Sequence, residues 1–205
     1  MTLLPPRDLA TRPITDRVKE SVFAILTPRL PGAVVADLFC GTGSLGLEAL
    51  SRGASRAIMV DTDKEALKRL RKNIEKLRFD RQVSVVPVNA FRKGVPILPQ
   101  YEPEAGSPNS SRPESKMTEP AISESVQKCD LVFVDPPYKL SRDIVEQSPL
   151  GKLLEIVSGQ LANRGLVVVR HEKRSVLLKS YADLYEIDRR EYGGMAVTFL
   201  EKAVE

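Results

Sequence analysis

The tetrapeptide Asp135-Pro136-Pro137-Tyr138 follows directly on an apolar run, Leu131–Val134. These residue types in this order suit one chemistry, the activation of an amine attached to an aromatic ring. Such an amine is a poor nucleophile because its lone pair is delocalised into the ring. Hydrogen bonds from its two N–H groups to the Asp135 carboxylate and the Pro136 main-chain carbonyl favour the pyramidal, reactive nitrogen. The same acceptors stabilise positive charge as it develops there. Neither proline carries an N–H, and two in succession stiffen the corner and hold the carbonyl in place. Tyr138 offers a ring on which an extruded base can stack, worth roughly 1–3 kcal/mol. A proline turn closing a core strand would use the same residues with no chemistry, so the corner needs a second motif beside it.

The second motif is Gly41-Thr42-Gly43-Ser44-Leu45-Gly46, a literal G-x-G-x-x-G. It follows the apolar run 34–39, opens a helical pattern, and is followed by Asp61 at the spacing expected of a ribose-binding carboxylate. By itself this loop fits a nicotinamide dinucleotide as well as S-adenosylmethionine, and a tight turn would also use its glycines. Two features favour S-adenosylmethionine. Asp37 lies inside the preceding strand, where a carboxylate can pair with a cationic amino-acid end that a dinucleotide lacks. The Asp-Pro-Pro-Tyr corner has a use in methyl transfer and none in hydride transfer. Transfer itself is in-line attack on a sulfonium methyl, in which positioning supplies much of the rate.

Both motifs need elements to hold them. Apolar runs at 34–39, 57–60, 83–88, 130–134 and 166–170 predict strands, the first of them buried on both faces and the second also buried. Helical patterns lie between them. One is capped by Thr15 or Asp16 and faces inward with Val18, Val22, Ile25 and Leu26. A short one at 45–50 stops at Gly53. A longer one runs from the Asp63 cap to about Arg78 on Ala66, Leu67, Leu70, Ile74 and Leu77. The last spans about 149–161 on Leu150, Leu153, Leu154, Ile156, Val157 and Leu161. Asn163-Arg164-Gly165 reads as a turn. Two further strands, around 184–190 and 195–200, join through Gly193-Gly194. Alternation of this kind predicts an α/β fold with a mostly parallel, Rossmann-like sheet and helices on both faces. The glycine loop, Asp61 and the Asp135 corner then all fall at carboxyl ends of strands, where such sheets bind ligands.

Composition narrows the class. The chain has 205 residues, enough for one domain with a sizeable core, and 42% are hydrophobic. No apolar run approaches the roughly 18 residues that cross a bilayer, and the first residues lack the apolar stretch of a secretory signal. Two cysteines, Cys40 and Cys129, make neither a disulfide framework nor a zinc site. The single histidine, His171, reads as a surface or strand-end residue. These features predict a cytoplasmic protein without membrane or metal partners. The net charge is +4, and the stretch 64–81 holds a local +5, most simply a solvated helix face. Residues 100–127, rich in Pro, Ser and Glu, read as a flexible loop inserted in a single domain covering 1–205.

Four stretches carry a resemblance: RPITDRVKESVFAIL (12–26), DLFCGTGSLGLEALSRGA (37–54), DLVFVDPPY (130–138) and REYGGMAVTFLEK (190–202). In this order they resemble the bacterial 16S rRNA guanine-N2 methyltransferase family. The resemblance implies a seven-stranded class I S-adenosylmethionine-dependent methyltransferase fold. It implies cofactor contacts at Asp37, Cys40, Gly41, Thr42, Gly43 and Asp61, and catalysis at Asp135, Pro136, Pro137 and Tyr138. It places Arg12, Thr15 and Arg17 near the cofactor or the RNA, and makes 16S rRNA or an assembling small ribosomal subunit the partner of a monomeric enzyme. Asn89-Ala90 stands where the family usually has Asp-Ala; the Asn89 amide oxygen can still accept from the adenine amino group. The basic, Gly-rich N-terminal stretch usual in the family is not evident, and the acidic insert precedes the catalytic strand. Amine methylation of adenine N6 or of a protein glutamine, and a non-catalytic cofactor-binding module in ribosome assembly, remain alternatives. A nicotinamide-dependent oxidoreductase finds no hydride-handling residues.

Overall fold

The protein is described from a computed structural model over residues 15–96, 128–137 and 147–204. Arg12, Tyr138 and the 100–127 segment lie outside the described residues. The chain runs α1 (Asp16–Leu26), β1 (Val34–Leu38), α2 (Ser44–Ser51), β2 (Arg56–Val60), α3 (Lys64–Leu77), β3 (Val83–Val86) and α4 (Ala90–Lys93). It continues with β4 (Cys129–Val134), α5 (Pro149–Gln160), β5 (Leu161–Glu172), β6 (Ser180–Tyr181), β7 (Leu184–Tyr192) and β8 (Met195–Lys202). Among the described residues, eight strands form one sheet in the order β3-β2-β1-β4-β5-β8-β7-β6. The first five are parallel; β8, β7 and β6 extend the sheet antiparallel. The resemblance implied seven strands. The eighth, β6, is a two-residue edge strand whose Ser-Tyr sequence carries no alternation to read.

Burial on both faces explains the unbroken apolar runs. Val35, Ala57, Met59, Leu131, Phe133, Val168 and Phe199 pack with α1, α2 and α3 on one face. Ala36, Ile58, Val132, Val134, Val167 and Leu200 pack with α4 and α5 on the other. A parallel sheet flanked by helices has no solvated face on which polar residues could alternate.

Helix boundaries follow local chemistry. Thr15, not Asp16, caps α1: its hydroxyl accepts the Val18 N–H at 3.4 Å. Asp63 caps α3 by accepting from Glu65 and Ala66. Gly53 follows the end of α2 at φ 102, the left-handed geometry that favours glycine there. The inward face of α1 differs from the expected one, since Phe23 is fully buried and Ile25 is exposed. Ile156 of α5 is likewise exposed. Both residues sit one step round the helix from a buried neighbour, where a hydrophobic residue reads as core by type alone. Asn163-Arg164-Gly165 is not a turn between elements. It is an irregularity inside β5, where Cys129 pairs with Leu161 but Leu131 pairs with Leu166, and Arg164 takes φ 61. The Gly193-Gly194 turn between β7 and β8 is as expected. The 64–81 charges are mostly exposed along α3 and beyond.

Candidate active site

The strand order reverses between β1 and β4, so a crevice opens at their carboxyl ends. Register fixes what lines it. Asp37 is level with Phe133 on one side and Met59 on the other. Level residues of parallel strands point to the same face, here the α1–α3 face. Val134 is level with Val169, so the next pair stand side by side, Asp135 just past the end of β4 and Arg170 within β5. The Asp135 N–H donates to Leu38 O at 3.4 Å, tying the corner to the end of β1.

The glycine loop is built on two carboxylates. Asp37, fully enclosed, accepts the Gly46 N–H at 2.9 Å. Asp61 accepts the Gly41 N–H at 2.7 Å through one oxygen and the Asp63 N–H at 2.9 Å through the other. Each Asp61 oxygen thus retains acceptor capacity. Gly43 has φ 89, and a Cβ there would meet Leu70 Cδ1 at 2.4 Å. Gly46 carries a different constraint: an added Cβ would meet Met59 Cε at 2.4 Å and Asp37 Cβ at 3.2 Å. The carbonyl of Thr42 is held from outside, by the Asn73 side chain of α3 at 3.1 Å.

Burial pushes the Asp37 carboxyl up to about 8, against the pull of the Gly46 N–H, with Asp135 and Asp61 adding to the rise. Burial also raises Asp135, and the Arg170 guanidinium opposes that rise by charge and by hydrogen bond. Arg170 Nε donates to Asp135 Oδ1 at 2.5 Å, and the Arg170 side chain is 9% exposed. Burial raises the Cys40 thiol well above its ordinary value, so Cys40 is a packing residue of the loop rather than a nucleophile.

Other sequence-derived residues have settled places. Asn89 caps α4 and its amide oxygen accepts the Phe91 N–H at 2.9 Å; Ala90 is buried beneath it. Phe91 and Phe39 pack with ring centroids 4.9 Å apart, joining the ends of β1 and β3. Thr15 and Arg17 lie at the exposed start of α1. The structure therefore brings together Asp37, the 41–46 loop, Asp61, Asp135 and Pro136. His171 is not a surface residue: it is fully buried, with Nε2 2.9 Å from Thr198 Oγ1 and Nδ1 2.9 Å from Glu172 O.

Sequence reasoning missed Arg170 and Asn73. Arg170 ends an otherwise apolar run, and its partner follows only from strand register. Asn73 sits among the inward positions of α3, between Leu70 and Ile74, and a polar residue in that stripe was the available signal. Among the described residues no group of three or more His, Cys, Asp or Glu side chains could hold a metal, and no helix is long and apolar enough to cross a membrane.

Comparison with known proteins places this geometry. The family profile described as "Conserved hypothetical protein 95" matches residues 2–101 and 110–201. The chain belongs to this family. Among its relatives, the ribosomal RNA small subunit methyltransferase D of Escherichia coli is 32% identical over 82% of this chain and 67% of that protein. A Bacillus subtilis protein provisionally named an rRNA methyltransferase is 29% identical over 94% of this chain and 89% of its own length. An Escherichia coli structure provisionally described as a methyltransferase superposes with a TM-score of 0.71 at 26% identity, covering 99% of this chain and 92% of that one. The fold is that of a Rossmann-like methyltransferase.

Proposed function

We propose that this family member is an S-adenosylmethionine-dependent rRNA methyltransferase that modifies the exocyclic N2 amine of a guanine in small-subunit (16S) ribosomal RNA, acting as a single domain. The observation that carries the reading is the meeting of the glycine loop after β1 with the Asp135-Pro136 corner after β4, at the point where the strand order reverses. The RNA substrate is supported by the names of the relatives, and guanine N2 by the resemblance of the motifs.

The residues present fit the cofactor. Asp37, Asp61 and Asp135 converge beside the Arg170 guanidinium, an acidic set suited to a ligand bearing an ammonium and a sulfonium. Asp37 would hold the amino end, and Asp61 the ribose hydroxyls. The bare glycines at 41 and 43 allow main chain to approach closely. Asn89 and Ala90, at the start of α4, would meet the adenine. S-adenosylmethionine supplies an electrophilic methyl group on sulfur, whose departing electron pair leaves a neutral thioether.

The chain's own residues handle the amine. The Asp135 carboxylate and the Pro136 carbonyl accept its two hydrogens, and so localise the lone pair that forms the new N–C bond. After transfer the nitrogen carries one positive charge and sheds one proton. The Asp135 carboxylate lies where that charge appears. Tyr138 completes the corner in sequence and is assigned to base stacking; Arg12, Thr15 and Arg17 are assigned to the RNA side.

The test is transfer of a tritiated methyl group from S-adenosylmethionine to small ribosomal subunits lacking their own guanine modification, followed by nucleoside analysis. N2-methylguanosine as the sole product is expected. N6-methyladenosine would change the base assigned to the corner. Absence of transfer with the cofactor still bound would replace the enzyme reading by a binding module.

A further inference from the structure

We propose that Arg170 is the positioning residue of the methyl-transfer corner, fixing one oxygen of the Asp135 carboxylate so that the other is presented, ionised, to the incoming amine. This rests on the functional reading above and adds a residue to it.

The case begins with register. Val134 and Val169 are paired, so Asp135, the first residue past β4, lies beside Arg170, still held in β5 by its pairing with Val197 of β8, and the two point to the same face. Their contact is a consequence of the strand alignment and does not depend on a flexible surface rotamer. Arg170 Nε meets Asp135 Oδ1 at 2.5 Å, and both side chains are largely enclosed, at 9% and 17% exposure. Exposed ion pairs contribute little because water competes for both partners; an enclosed pair has no such competition. A carboxylate with one oxygen engaged loses most of its freedom to rotate about its last bond. Its second oxygen then has a fixed direction, which is what an acceptor for a single N–H requires.

Charge supports the geometry. The charged groups that act on Asp135 are Asp37 of β1 and Arg170 of β5. Asp37 is an acid, so of these two Arg170 is the one that favours an ionised Asp135. Burial pushes the Asp135 carboxyl upward and Arg170 pulls it back. A protonated Asp135 would offer the amine a donor in place of an acceptor. The guanidinium therefore serves both direction and protonation state, whereas a lysine would supply charge without the planar fork.

The experiment compares wild type, Arg170→Met and Arg170→Lys in single-turnover and steady-state methyl transfer to unmodified small subunits between pH 5 and 9, with cofactor affinity measured by calorimetry. For Arg170→Met the expectation is a fall in kcat of about 10²-fold, with KM for RNA and the cofactor Kd within about threefold. Its acid limb should move to higher pH. Arg170→Lys should keep the acid limb near that of wild type and recover only part of the rate. If Arg170→Met retains kcat within about twofold and an unmoved acid limb, the proposal is overturned. Full activity in Arg170→Lys overturns the orienting role. If Arg170→Met does not fold, Arg170→Lys decides by the same two readouts. Failure of the broader reading is separate, because it appears as wild type that binds the cofactor and transfers no methyl.

Discussion

The buried carboxylate of Asp37 holds the main-chain N–H of Gly46 at 2.9 Å, closing the glycine loop from beneath. That bond does not offset the desolvation of the acid, which keeps its proton up to about pH 8. In the unfolded chain the same carboxyl ionises near 3.8. Between these values the folded state binds more protons than the unfolded one, so this group makes stability fall as pH rises. Asp37→Asn should therefore be more stable than wild type at pH 7, by about 1–3 kcal/mol, or a Tm higher by about 3–8 °C. Melts from pH 5 to 9 should show the gap widening with pH. The same variant should lose at least tenfold in cofactor affinity, since an amide, unlike the Asp37 carboxyl, cannot give up a proton to meet the ammonium. A gap that does not change with pH would refute the buried-acid assignment.

Asp135→Ala should do more than remove a hydrogen-bond acceptor. It leaves the Arg170 guanidinium enclosed without its carboxylate, and breaking such a pair typically costs about 3–5 kcal/mol. Methyl transfer should be abolished while cofactor affinity stays within a few-fold. Adding Arg170→Met should recover part of the lost stability and none of the activity. Denaturant melts of the two single variants and the double variant measure the coupling, and additive losses would mean that the pair contributes nothing.

Gly43→Ala should weaken cofactor binding by at least tenfold and lower stability by about 1–3 kcal/mol. The cause is twofold: a φ of 89 strains any side chain, and the new Cβ would fall 2.4 Å from Leu70 Cδ1. Calorimetry with S-adenosylhomocysteine and a thermal melt check the two halves. Wild-type values in both would show that the loop tolerates a side chain there.

Most of the architecture was legible in the sequence because a two-faced parallel sheet has a plain signature, apolar runs bounded by glycines and caps. The carboxylates and glycines of the crevice were legible because their types are rare in such runs. What was not legible depended on register. Arg170 is an ordinary strand-ending arginine until β5 is aligned against β4. Asn73 becomes a loop support only when α3 is laid on the 41–46 segment. Ile25 and Ile156 were assigned inward by residue type, although hydrophobic type does not decide which of two adjacent helix positions faces the core. His171 stands near the end of its strand, as read, but not at the surface: its burial depends on Thr198 of β8, a strand whose pairing the sequence does not state.

His171 gives a second pH dependence, opposite in sign to that of Asp37. Burial lowers its imidazole from the ordinary value, so the fold favours the neutral ring. Below about pH 6.5 the unfolded chain takes up the proton more readily than the folded one, and stability falls with falling pH. His171→Gln, which can keep a hydrogen bond to Thr198, should lose less stability than wild type between pH 7 and pH 5. Equal losses in the two proteins would place the acid sensitivity elsewhere.

The crevice lies between β1 and β4, strands adjacent in the sheet but separated along the chain by β2, β3, their helices and a long connection. Closing so large a loop carries an entropic cost that must be met before any contact between the two strands is gained. The order in which the molecule assembles follows. β1, β2 and β3 with their helices can gather from contacts nearby in sequence, and the glycine loop comes with them. Asp135 reaches that loop only after the chain has returned to dock β4, and Arg170 only after β5. A nascent chain still lacking β4 could therefore carry the cofactor loop with no corner to receive an amine, and chemistry becomes available only once the two halves of the sheet have joined.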